Sequence, residues 1–479
     1  MTVIAQARLG IHDPHDCTDA NDELTILHAV YDTLVRRVGQ RFVPHLAQRW
    51  TVSEDARTWV FHLHPGVKFH DGTDCDADAV ALCLQRMARE DKGYTLGAPA
   101  VWRQFLKDAV LDVIDAETIR VTLAEPMADL LDVLEQGFIV APSAFAALDA
   151  KDYTAQIGSG PYKLVSISGT QISATRVNNH FAGEPANATV SWRLVPDAAA
   201  RLSLLERGEV QVAHALDFEA SRALGDMRHE FLSPVAIIYL LNAAKGPLAD
   251  GSVRRALSLA VDRDAIVQTV MAGAAQPLRG FVSPNHYGSG HGAGGDAQMD
   301  RTQARALLVE AGFGDGLTLE VDCPTRLPDE AQRLTAALAD QLNAVGITLN
   351  VHIHPEREDY AHMVRRKEIR DLCVFDSSPM STYRVLYEKI DARIAGSWWQ
   401  GYHNPAVEAL IDVGRVTPDS DARSDIWQKA YTLLQEDPAW LTLYNPIRVI
   451  GVAGDHPDFV MPVDGVIDVA RLPALEGAA

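Results

Sequence analysis

The residue types that can do chemistry are present, but they do not assemble into a reactive pattern. His62 and His64, and again His352 and His354, stand two apart, so on a strand each pair shares one face. A zinc site takes three or four protein ligands, so two imidazoles do not make one, and both pairs are read as solvent-facing strand histidines. Ser377-Ser378-Pro379-Met380-Ser381 offers three hydroxyls without the flanking glycines of a nucleophile elbow. No Walker loop and no His-Glu-x-x-His occurs. Cys17, Cys75, Cys83, Cys323 and Cys373 fit no metal or redox spacing and read as small core hydrophobes. The stretch Gly288-Ser289-Gly290-His291-Gly292-Ala293-Gly294-Gly295 neither follows a strand nor opens a helix, as a phosphate cradle must, and reads as a surface loop. Binding rather than catalysis is expected, with no metal and no cofactor.

Composition narrows the class. The chain has 479 residues, 47% hydrophobic and 22% charged, which suits a globular protein of two or three lobes. Its formal charge of −21 repels phosphate backbones, so no nucleic-acid partner is expected. The short basic run Arg365-Arg366-Lys367 sits in a helical pattern and reads as a solvated face. No stretch of 18 or more apolar residues occurs, so no membrane span is expected. The first residues lack the basic and apolar regions of a leader and read as a strand around Val3-Ile4-Ala5, so any leader is expected to have been removed.

These groups must be positioned by α/β lobes, because helical and strand periodicities alternate along the chain. Thr58–His64 alternates with period two. Pro65-Gly66 reads as a turn and Val67–His70 as the strand returning from it. Asp76 reads as the N-cap of a helix whose apolar face is Val80, Cys83, Leu84 and Met87. Further on, Asp300 opens a helix with Ala304, Leu307, Leu308 and Ala311 inward. Leu317–Val321, a helix carrying Leu334, Leu338, Leu342 and Val345, and Ile347–Val351 then form a parallel crossover. A helix around Ile426, Ala430, Leu433 and Leu434 stops at Asp437-Pro438, and a last strand, Leu441–Tyr444, runs into Asn445-Pro446.

Several blocks carry a resemblance. Pro44–Trp50 with Trp59–Gly72, then Gly158–Tyr162, Asn178–Phe181, Val253–Ile266 and Tyr402–Ile411, resemble in this order the family 5 extracellular solute-binding proteins, receptors of ABC importers for peptides, nickel complexes and related solutes. The resemblance covers nearly the whole chain. It implies a two-lobed, periplasmic-binding-protein-like α/β fold with an extra inserted subdomain, the lobes hinged around a ligand cleft. Lobe I would take residues 1–28, 158–241 and 446–479, the inserted subdomain 29–157, and lobe II 242–445, with crossings near Asn242 and Asn445. Trp59, Phe61, Phe69 and Asp71-Gly72 in the signature are read as packing and turn residues.

The same resemblance places ligand contacts after the strand ending at Val374-Phe375-Asp376. Peptide binders of the family carry an Asp-rich stretch there. This chain keeps Asp376 and continues with Ser377, Ser378, Ser381, Tyr383 and Arg384. Arg384 has two readings, a clamp for a carboxylate or phosphate and an ion pair with Glu388 four residues on. Trp398, Trp399 and Tyr402, in a glycine-flanked loop, offer flat apolar surface with donors. In lobe I, Trp102 resembles a ligand-facing Trp of the nickel-complex binders and is followed by Arg103. His15 and Asp19 lie in the loop after the first strand, where such sheets bind ligand. Trp398→Ala and Trp102→Ala are expected to weaken binding with little effect on the fold.

The function implied is the monomeric, periplasmic receptor of an ABC importer, handing a small polar solute (a short peptide, an opine-like or another conjugate) to membrane permease subunits. The alternatives are a metal-chelate receptor using His12, His15 or His28 with Trp102 and Trp398, a ligand-sensing domain of a regulatory protein, and a hydrolase or lyase.

Overall fold

The structure is a computed structural model, and it describes residues 1–17, 20–93, 101–289, 298–326, 328–377 and 380–475. The chain folds as two compact α/β units. The first is built from Met1–Thr95, Pro99–Phe231 and Arg448–Ala479, the second around Leu232–Ile447.

In the first unit the opening strand Thr2–Gln6 lies parallel to Thr189–Leu194, with Ile4 opposite Trp192, and parallel to Val212–Leu216 on its other side. The hairpin strands Gln171–Arg176 and Tyr162–Ile167 extend the sheet. Helix Ala198–Glu206, capped by Asp197 accepting from Ala200 N, lays Leu204 and Leu205 on Ala5, Ala213 and Leu216. A four-stranded antiparallel sheet forms from Ala47–Val52, Thr58–Leu63, Thr118–Thr122 and Val110–Asp115. Period-two alternation aims Trp59, Phe61 and Leu63 inward, all 3% exposed or less. Helix Ala77–Met87 starts where Asp76 accepts from Ala79 N, and it buries Val80, Cys83, Leu84 and Met87 as their spacing required.

One expectation is corrected. Val67–His70 is not the partner of Thr58–Leu63, which pairs with Ala47–Val52 and Thr118–Thr122. Residues 68–74 instead close on themselves, with Phe69 N donating to Thr73 O and Gly72 at φ 91°. Alternation marks a strand but does not choose its partner, and Pro65 has no N–H to continue a ladder.

The second unit is a sheet in the order Ile347–His354, Leu317–Pro324, Leu372–Ser377, Ala236–Leu241 and the 440–447 part of Trp440–Val452. Its first three strands run parallel, Leu317 opposite Ile347 and Val321 opposite Leu372, as the crossover pattern predicted. Helix Ala331–Asn343 covers them with Leu334, Leu338 and Leu342, all 0% exposed. Helix Arg301–Glu310 starts at Asp300, whose carboxylate accepts from Gln303 N. The last strand is longer than expected, because proline's fixed φ suits extended backbone and the run continues past Pro446. In the glycine-rich stretch, residues 290–297 lie outside the described residues.

Candidate functional site

In the second unit the strand Leu372–Ser377 ends on Asp376, which stands opposite Ile237, and on Ser377. Ser378 lies outside the described residues. Ser381 then caps the helix Thr382–Lys389, its hydroxyl accepting from Arg384 N at 3.1 Å. Lys389, on the last turn of that helix, reaches back and donates to Ser377 Oγ at 3.2 Å. Its ammonium is buried and stands 5.8 Å from the Trp440 ring centre, a cation–π placement. Arg384 Nε donates to Glu388 Oε1 at 2.9 Å, so the ion pair that the i,i+4 spacing allowed is formed. Tyr383 is buried, its ring 5.3 Å from Tyr387 and 6.3 Å from Trp427.

The aromatic loop divides its residues between two places. Trp398 packs on Phe375, ring centres 4.8 Å apart, which sets it beside the strand end that carries Asp376. Trp399 Nε1 donates to Tyr402 O at 2.6 Å. Tyr402 turns inward, 2% exposed, with the Arg254 guanidinium 5.5 Å from its ring centre. Burial raises its phenol well above the ordinary range. Gly401 is required here. Its φ is 91°, and a Cβ would come within 2.3 Å of Ala244 N.

In the first unit the loop after the opening strand is held by buried charge. Asp13 accepts from Lys92 Nζ at 2.7 Å and from both terminal nitrogens of Arg86, which also reaches Asp149 at 2.6 Å. Burial opposes ionisation of Asp13, but Arg86 and Lys92 outweigh it and hold the carboxyl well below its usual range. His15 is 0% exposed, between Arg86 at 3.0 Å and Phe138 O at 2.9 Å. Burial, reinforced by the Arg86 charge, pushes its imidazole down to about 4. The His15 carbonyl accepts from Trp102 Nε1 at 3.1 Å, so these two expected contacts are brought together. Trp102 is wholly buried, so truncating it should cost stability as well as any contact it makes. Arg103 points elsewhere, to Glu90 at 3.1 Å and Ala88 O at 3.2 Å, and Asp19 lies outside the described residues.

Sequence reading missed the centre of the first unit. Asp32, 0% exposed, accepts from His45 Nε2 at 2.8 Å, Ser159 Oγ at 2.9 Å and His180 Nε2 at 3.3 Å. Burial again opposes its ionisation, and the bonds from His180 and His45 overcome it. Three of the resemblance blocks, around His45, Ser159 and His180, therefore meet on one carboxylate. The signal available was a single acid in the apolar run Ala29-Val30-Tyr31-Asp32-Thr33-Leu34. Gly158 and Gly160 lie against the same run, since a Cβ on either would come within 2.1 and 2.5 Å of Val30 backbone.

The strand histidines carry acid and hydroxyl partners. His352 meets Glu320 at 2.5 Å, His354 meets Asp322 at 2.8 Å, and His62 lies 3.4 Å from Thr118 Oγ1. The five cysteines are buried and unbridged. No helix among the described residues is long and apolar enough to cross a membrane.

Two α/β units with this strand order form the two-lobed fold of periplasmic binding proteins. The chain belongs to the bacterial extracellular solute-binding proteins, family 5, whose middle-region model matches residues 41–406. With the family comes the role of solute-binding receptor in ABC import. The chain is 29% identical over 454 residues to the glutathione-binding protein GsiB of Salmonella paratyphi A, covering 90% of this chain and 86% of that one. It is 25% identical over 459 residues to the dipeptide-binding protein of Escherichia coli, covering 88% and 85%. Among solved structures, HbpA2 from Haemophilus parasuis shares the fold with a TM-score of 0.83 at 22% identity, covering 97% of each chain.

Proposed function

We propose that this receptor works in the periplasm as a monomer and captures a short peptide that carries a carboxylate beyond its backbone, of the glutathione class, releasing it unchanged to membrane permease subunits. The observation that carries this reading is the content of the helix after Asp376. It holds two buried cations, Arg384 paired with Glu388 and Lys389 bonded to the Ser377 hydroxyl of the preceding strand, and the Ser381 hydroxyl caps its start. Guanidinium and ammonium groups beside hydroxyls suit a carboxylate, whereas a run of aspartates suits an amine. Trp398, on Phe375 beside the strand that ends in Asp376, would supply the apolar surface with Trp399, and Arg384 and Asp376 the polar contacts. The glutathione-binding relatives support the solute class, and the dipeptide-binding relative supports peptides in general.

The test is calorimetric titration with reduced glutathione, dialanine and the nickel–histidine complex. The expected result is saturable binding of glutathione, weaker binding of dialanine, and a loss of about 10-fold or more in Arg384→Gln, the size of one charged hydrogen bond. Tight binding of the nickel complex with none of glutathione would replace this reading with the chelate receptor. Turnover of any of the three would replace it with an enzyme.

A further inference from the structure

The loop that carries Trp398 hangs from a neighbouring helix by two side chains that are not themselves placed at the solute. The helix Arg357–Arg365 ends at Val364 and Arg365, and Lys367 follows it. Lys367 Nζ donates to Gly396 O at 2.9 Å. Gln400, 6% exposed, donates from Nε2 to Val364 O at 2.8 Å. Between these two anchors lie Trp398 and Trp399. The Trp398 ring packs on Phe375, and Phe375 stacks on Tyr360 of the same helix, ring centres 6.3 Å apart. Tyr360, 0% exposed, donates to Val374 O at 2.5 Å. The helix and the residue after its cap therefore hold Trp398 twice, through hydrogen bonds at the flanking Gly396 and Gln400 and through the rings of Phe375 and Tyr360.

Lys367 stands where this grip has a cost. Its φ is 61°, in the left-handed region that follows many helices and that glycine adopts without penalty. A lysine there is held about 1 kcal/mol above a glycine. Gly396 completes the arrangement, because a Cβ on it would come within 2.0 Å of the Glu388 carbonyl oxygen. The loop thus abuts the helix turn where Glu388 pairs with Arg384.

We infer that Lys367 and Gln400 are positioning residues that set the pose of Trp398 for the solute. The inference rests on the reading above, in which Trp398 meets that solute. Preorganised side chains bind better because the ordering is complete before the ligand arrives.

Lys367→Gly separates positioning from folding, since it relieves the backbone conformation while removing the ammonium. The whole chain, labelled with 5-fluorotryptophan, reports the pose by fluorine NMR, with the Trp398 resonance assigned by its loss in Trp398→Phe. In Lys367→Gly and in Gln400→Leu that resonance should shift or broaden while those of Trp59, Trp192 and Trp427 hold. Lys367→Gly should unfold at or above the wild-type temperature yet bind reduced glutathione about 10-fold more weakly, the equivalent of one hydrogen bond. Its effect should vanish in a Trp398→Ala background. An unmoved Trp398 resonance in both variants overturns the inference, as does a loss that adds in full to that of Trp398→Ala. If Trp398→Ala binds glutathione as wild type does, or if wild type does not bind it, the solute reading falls instead, and the fluorine resonance still decides whether the two residues hold the ring.

Discussion

Trp102 Nε1 donates to the His15 carbonyl oxygen at 3.1 Å, and both side chains are 0% exposed. A tryptophan that resembles a ligand contact in sequence is here the clamp on the loop after the first strand. Trp102→Ala should cost about 3–5 kcal/mol, as for other buried tryptophans, read as a lower urea midpoint. Trp102→Phe keeps most of the volume but loses the donor and leaves a small cavity, so it should cost less than Trp102→Ala, about 1–3 kcal/mol. Equal midpoints for Trp102→Ala and wild type would contradict the burial.

Acid should loosen the same loop. The folded His15 imidazole sits near 4, below its unfolded value, so the unfolded chain binds the extra proton first. The His15 contribution is complete above about pH 6.5 and is lost as pH falls toward 4. The depressed Asp13 carboxyl acts in the same direction at lower pH, its stabilisation present above about pH 4 and lost as pH falls. His15→Gln should flatten the stability profile between pH 6.5 and 4 in urea titrations, and a profile as steep as wild type would exclude His15 as its source.

Asp32→Asn keeps the shape at the centre of the first unit but removes the charge that His45, His180 and Ser159 address. Losing one partner of a buried charged network costs about 3–5 kcal/mol. The loss should appear as a lower midpoint, with hydrogen exchange accelerated in segments 157–162 and 178–183. Asp55→Asn, at a fully exposed site, is the control and should stay within about 0.5 kcal/mol of wild type.

Gly414→Ala reverses a familiar sign. In an exposed helix interior, replacing glycine by alanine stabilises by about 1 kcal/mol. Here the new Cβ would come within 2.1 Å of the buried Trp427 ring, so overpacking by about 1–3 kcal/mol should win. Thermal unfolding decides it, and a raised Tm would refute the close packing of helices Pro405–Arg415 and Ser420–Glu436.

Much of the architecture was legible because it is written locally. Asp76 and Asp300 cap helices whose apolar residues recur at helical spacing, and Leu317–Val321 and Ile347–Val351 bracket a helix of the length that a parallel crossover needs. The order of the resemblance blocks sufficed to name the family, although one of them, with Gly158 and Gly160 close against Val30, meets a demand set by tertiary packing.

What the sequence determined by itself was therefore periodicity, capping, turn chemistry and family membership. Partnerships were decided only in three dimensions. Thr58–Leu63 took Ala47–Val52 before it and the distant Thr118–Thr122 as neighbours, rather than residues 67–70 that follow it, with Trp59 and Phe61 buried. The site depended most on this. Asp32 meets histidines 13 and 148 residues away, and Trp398 finds Phe375 on a separate strand. Hydrogen bonds and ring contacts act over a few ångströms of space, and no spacing along the chain encodes which side chains come that close.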